Sequence, residues 1–122
     1  MNYALPLAAL ALTTATSAVP ATDAEGAVRL LLAASNLPIA QGSSCYGLIR
    51  GIARPTLGDL LATPLGGLDK GKNSIDGGCK GGACRVTILH NGGEEDVFSY
   101  EYRFRTVRGR LSPASLLCAN TP

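Results

Sequence analysis

The chain has 122 residues, with eleven basic and nine acidic side chains, a formal charge of +2, no Trp and two Phe. So small a net charge gives no general attraction to nucleic acid or to an anionic membrane surface, and so short a chain leaves room for one small domain and excludes two. Such a domain buries a modest core, here built on Leu, Ile, Val, Ala and Tyr, and gains from covalent cross-links.

Every charged side chain lies after Ala21. Residues 1–21 read as a secretory signal peptide, with an apolar run from Ala4 to Ala15, then small and polar residues that suit cleavage after Ala18 or Ala21. A membrane span needs about 20 apolar residues, and this run breaks at Thr13-Thr14. Nothing later in the chain is longer. The expectation is an exported chain, periplasmic or extracellular, with one domain over 22–122 and an oxidising surrounding for Cys45, Cys79, Cys84 and Cys118.

Thr22-Asp23-Ala24-Glu25 fits a capping box, and Ala24, Val28, Leu31 and Leu32 recur on one face, which predicts a helix over 23–34. Asn36 and Pro38 stop it. Residues 43–54 fit a short helix or an irregular strand with Leu48, Ile49 and Ile52 inward, and Gly47 and Gly51 weaken both. Leu57, Leu60 and Leu61 then share one side of a helix over 57–62 that Thr56 caps and Pro64 ends. From Gly66 to Gly82 there are seven glycines in seventeen residues. Glycine is costly to order, and a long surface loop is expected there.

The last third alternates. Cys84 to His90 reads as a strand, Asn91-Gly92-Gly93 as a turn, and Val97 to Val107 as a second strand with Phe98, Tyr100, Tyr102 and Phe104 on one face. Ser99, Glu101, Arg103 and Arg105 take the other face. After a turn at Arg108-Gly109-Arg110, residues 111–118 form a third strand, placed at an edge by Pro113. The expected fold is α+β, an N-terminal helix on a three-stranded antiparallel meander supported by disulfides.

Matching the apolar faces places Val86 opposite Tyr102, Ile88 opposite Tyr100 and Cys84 by Phe104, with Cys118 near Tyr100 or Phe98 at the other end. That separates Cys84 from Cys118 by roughly 15 Å, beyond the about 7 Å between Cα atoms that a disulfide spans. The ranking puts Cys79–Cys84 with Cys45–Cys118 first, and Cys45–Cys84 with Cys79–Cys118 next.

Motifs for chemistry are few. Residues 66–73 come within one residue of a phosphate-binding P-loop, but Asn73 stands where a magnesium-binding Ser or Thr belongs, and no helix can start at Ser74 to Gly78. Asp69, Asn73 and Asp76 fail the spacing of a calcium loop, with Gly71 and Lys80 at ligand positions. Cys79 and Cys84 lack the second close pair of a zinc site. No metal, cofactor or catalytic set is therefore expected. His90 stands beside Glu94, Glu95 and Asp96, any of which would orient it as a general base, yet no nucleophile can be assigned to it.

Arg103, Arg105, Arg108 and Arg110 gather within eight residues and form a basic stripe able to grip phosphate, sulfate or carboxylate groups. The functional expectation is a small exported, non-enzymatic binding protein whose partner is a protein or an anionic envelope component, with neither nucleic acid nor a membrane span involved. Two alternatives stand beside it: a carrier holding a small ligand between helix and sheet, and a small hydrolase or transferase using His90.

Overall fold

The computed structural model describes residues 22–49, 51–68, 71, 73–93 and 97–121. The expected signal segment 1–21 lies outside the described residues, as do Asp69, Lys70 and Lys72 of the Gly-rich stretch and the acidic turn of Glu94, Glu95 and Asp96. In chain order the elements are β1 (Thr22–Asp23), α1 (Ala24–Ala33), α2 (Leu57–Gly66), β2 (Asn73–Lys80), β3 (Ala83–Asn91), β4 (Val97–Val107), β5 (Arg110–Leu111) and β6 (Leu117–Thr121). Single 3-10 turns cover Tyr46–Leu48 and Pro113–Ser115.

The fold is α+β. Among the described residues the sheet has six strands, all antiparallel and hydrogen-bonded in the order β1-β2-β3-β4, after which β5 and β6 both pair with β4. It is therefore larger than a three-stranded meander. The register across β3 and β4 sets Cys84, Val86 and Ile88 opposite Phe104, Tyr102 and Tyr100. The strand expected over 111–118 divides instead. Pro113 carries no N–H for a ladder and opens the 3-10 turn, so β6 begins only at Leu117 and Cys118 faces Tyr102 rather than Tyr100 or Phe98.

The Gly-rich loop expected over 66–82 also gives way to structure. β2 occupies 73–80 and forms a tight hairpin with β3 through Gly81 and Gly82, both at positive φ. Within β2, Gly77 and Gly78 are places where other backbone comes close: a Cβ at Gly77 would drive into the Arg85 carbonyl, and one at Gly78 into that of Thr22. The glycines that remove apolar periodicity from this stretch are the ones that let β1 and β3 approach it.

α1 is capped one residue later than the capping box implies. Asp23 accepts from the Gly26 amide at 2.9 Å, while Thr22 belongs to β1 and pairs with Cys79. The buried face of α1 is Ala27, Val28 and Leu31; Leu32 is exposed. In 43–54, the expected short element reduces to the 3-10 turn, and Ile52 faces solvent. Thr56 and Asp59 form a reciprocal capping box for α2, whose Leu57, Leu60 and Leu61 are buried. Both helices cover one face of the sheet, closing a core with Val86, Ile88, Tyr102 and Phe104.

α2 does not stop at Pro64 but runs to Gly66. A proline in a helix has no N–H for the carbonyl four residues back, here that of Leu60. The Tyr102 hydroxyl, fully buried, donates to the Leu60 carbonyl at 3.3 Å. The bond that the helix cannot make for itself comes from β4. Burial, with a smaller contribution from neighbouring Tyr100, holds the Tyr102 phenol well above its ordinary pKa.

Two disulfides complete the fold. Cys79 and Cys84 face one another across the β2–β3 hairpin, and Cys45 joins Cys118, 73 residues away. No helix among the described residues is long and apolar enough to cross a membrane.

Two predictions come from this architecture. Tyr102→Phe orphans a buried carbonyl and is expected to cost about 1–2 kcal/mol in urea unfolding. In a Pro64→Ala background the new N–H takes over the Leu60 carbonyl, and the same change costs close to nothing. Equal costs in both backgrounds would refute the coupling. Because the folded state holds the phenol proton more tightly, stability declines as pH climbs past about 10, where the unfolded chain ionises first, and the decline is shallower in Tyr102→Phe.

Loop closure ranks the disulfides. Replacing Cys45 and Cys118 by Ala is expected to cost about 4 kcal/mol, and replacing Cys79 and Cys84 about 2 kcal/mol. Unfolding of the two double variants under identical conditions checks the order.

Candidate functional site

The side-chain period of two sorts the strands into a helix-covered face and an open one. Positions that alternate with the buried residues of β3 and β4 are Arg85, Thr87 and Leu89, and Ser99, Glu101, Arg103 and Arg105. β2 adds Asp76 and Lys80 to the same open face.

Register then fixes neighbours. Arg85 lies directly opposite Arg103, Thr87 opposite Glu101 and Ala83 opposite Arg105. On the other side of Arg85 stands Gly78, which has no side chain, and beyond Arg103 stands exposed Leu117. Two guanidinium-bearing residues thus occupy directly facing positions, where Cβ atoms are about 5 Å apart and like charges are unfavourable.

Each arginine leans away toward the neighbouring row. Arg103 Nε donates to Glu101 Oε2 at 2.7 Å; Arg85 Nη1 donates to Thr87 Oγ1 at 3.0 Å, with Nη2 at 3.8 Å from Asp76. These contacts are solvent-exposed and worth little each. Asp23 of β1 pairs with Gly78 and so belongs to the same row, and the described part of this face carries Lys80, Arg85, Arg103 and Arg105 against Asp23, Asp76 and Glu101, an excess of one basic side chain. A shallow cleft of about 610 Å³ opens here, bordered by Lys80, Arg85 and Arg103 around small Gly78 and Ala83.

Of the four arginines in the expected stripe, Arg103 and Arg105 lie on this face, while Arg108 and Arg110 flank the exposed turn between β4 and β5. Arg108 adopts φ 55°, an uncommon conformation for a side chain with a Cβ. Arg85 and Lys80 are additions to the stripe. Arg85 is within reach of sequence reasoning, since the register that pairs Val86 with Tyr102 also pairs Arg85 with Arg103. Lys80 is not, because its strand is glycine-rich and reads as a loop.

His90 lies at the other end of the sheet on the helix-covered side. Its Nδ1 is 2.6 Å from Asn73 Oδ1, and Asn73 Nδ2 donates to the Pro64 carbonyl at 2.7 Å. A carbonyl only accepts, so the amide nitrogen must face Pro64 and the amide oxygen must face His90. His90 therefore carries its hydrogen on Nδ1. Its ring stacks on Phe98 with centroids 4.5 Å apart, and Phe98 meets Tyr100 edge-on. Among the described residues the Asn73 carboxamide orients the ring. The surrounding cleft, about 560 Å³, is bordered by Thr63, Gly67, Phe98 and Tyr100. Nothing in the sequence pattern signals Asn73, because its role needs α2 to continue through Pro64.

On the covered face Tyr102 is part of the packed core and bonded to α2. Among the described residues, no group of three His, Cys, Asp or Glu side chains is gathered for a metal ion. No protein-family model matches the chain, and no curated protein or solved structure is detectably similar to it.

Asn73→Ala removes both bonds at once and is expected to cost about 1–3 kcal/mol. In the unaltered protein, nitrogen NMR of the neutral His90 ring should show the Nδ1–H tautomer, and in Asn73→Ala that preference should weaken. A dominant Nε2–H form in the unaltered protein would overturn the assignment.

Proposed function

We propose that the chain is a small exported, non-enzymatic binding protein that meets an anionic partner with the open face of its sheet. The observation that carries this reading is the facing pair Arg85 and Arg103, set beside Gly78 on a face that neither helix covers. A fold gains nothing from opposing two cations at facing positions, whereas an anion from outside turns that repulsion into two charge-assisted contacts. Export is supported by the composition of residues 1–21 and by the two disulfides, which fit an oxidising compartment.

A second reading, a hydrolase or transferase using His90, rests on the Asn73 contact that fixes the ring's tautomer. A single oriented imidazole with no assigned nucleophile gives that reading less support than the charge pattern gives to binding.

The two are separated by capture from envelope extract with the oxidised domain, immobilised through a terminus. An acidic partner should bind, and its retention should fall about tenfold or more in Arg103→Glu/Arg105→Glu. It should persist in His90→Ala and in Arg29→Glu/Arg54→Glu, which changes net charge equally away from the sheet. Equal retention by the two charge-reversed variants would reject the open face as the binding surface.

A further inference from the structure

The open face carries more than a diffuse positive charge. Its cleft is lined by the small residues Gly77, Gly78 and Ala83 and bordered by the long cationic side chains of Lys80, Arg85 and Arg103. Small residues under long cationic ones create a recess in which several donors can turn toward one point. Three carboxylates among the described residues share the face with this rim, and Asp23 lies opposite Gly78 in the row of the facing arginines, where its Oδ1 accepts from the Gly26 amide. Glu101 and Asp76 both lie in the row next to the facing arginines, on the side away from Ala83, and Arg105 sits opposite Ala83. Among the described residues no carboxylate lines the recess itself, and the arginines reach it by turning from their present contacts.

We propose that this recess is a binding site for a phosphate monoester group, a deepening that rests on the anion-binding reading above. The donors at the rim select the ligand: Lys80, Arg85 and Arg103 border the recess, and among the described residues no carboxylate lines it. A phosphate monoester carries nearly two negative charges at neutral pH and three acceptor oxygens. Those oxygens meet the two facing guanidinium groups, which can rotate away from their exposed present contacts at little cost, and the ammonium of exposed Lys80. A sulfate monoester has the same shape with a single charge, and a carboxylate has neither the third oxygen nor the second charge.

The test is titration of the full oxidised domain with phenyl phosphate and phenyl sulfate, followed by amide NMR. Phenyl phosphate should bind saturably, shift the amides of Gly78, Ala83 and Arg85, and bind more tightly than phenyl sulfate. Lowering pH from about 7.5 to about 5.5 removes most of the second ligand charge, whose pKa is about 6, and should weaken phosphate binding about fourfold while sparing phenyl sulfate. Among the described residues the charged groups on the face of the recess are Lys80, Arg85, Arg103, Arg105, Asp23, Asp76 and Glu101, and His90 lies on the opposite face of the sheet. Arg85→Gln should weaken phenyl phosphate about tenfold, and Arg29→Gln should not change it.

Equal affinity for the two esters, shifts spread over the whole surface, or equal losses in Arg85→Gln and Arg29→Gln would overturn the phosphate site. If an acidic partner is still captured and released by charge reversal in that case, the broader binding role stands without it. Tight phenyl phosphate binding with no acidic partner captured would instead uphold the phosphate site and reject the macromolecular partner.

Discussion

The hydroxyl of Tyr102 is the group on which the rest of the arrangement depends. It reaches the carbonyl that Pro64 leaves without a helical partner, and so lets a proline sit inside a helix packed on the sheet. One turn further on, the Pro64 carbonyl accepts from Asn73 of β2. Two carbonyls on one side of α2 are thus bonded to side chains from two different strands. Together they fix the rotation of α2 about its axis and its height above the sheet. Both are buried or half-buried, where an unpaired carbonyl is expensive, so neither contact is easily exchanged for water.

That docking determines what remains open. With both helices committed to the face of Val86, Ile88 and Tyr102, the alternate positions of β2, β3 and β4 face solvent together, and their charges become neighbours by register. The hairpin between β2 and β3 matters for the same reason: it carries Lys80 and Gly78 to the side of Arg85. An open face of this kind has no residue dedicated to forming it. It is the back of the core, patterned by the pleat, and its charge pattern is as ordered as the strands beneath.

The C-terminal strands are legible because their alternation is strict: the apolar match between Val86 and Tyr102 fixes the register of the whole β3–β4 ladder. The apolar side of α2 is legible from Leu57, Leu60 and Leu61 for a similar reason, at helical spacing. What escapes the sequence pattern depends on partners distant along the chain. Pro64 looks like a stop because its compensation comes from Tyr102, 38 residues later. β2 looks like a loop because Gly77 and Gly78 serve backbone proximity to Arg85 and Thr22, which no local pattern records. Thr22 and Asp23 are chemically equivalent caps, and only the pairing of Thr22 with β2 decides between them. The aromatic row reads as uniform, yet Tyr102 and Phe104 are core while Phe98 and Tyr100 border the His90 cleft.

The bond from Cys45 to Cys118 makes nearly the whole sheet and all of α2 part of one covalent ring. A ring can be opened once without falling apart. A protease that cuts a single peptide bond anywhere between these cysteines produces two new ends but no free fragment, and the docked α2 and the paired strands keep those ends near their original places. Reassembly after such a nick is a search within one molecule, with a high effective concentration and no dependence on dilution. Survival of a first cut is a property separate from folding stability, and here it comes from connectivity alone.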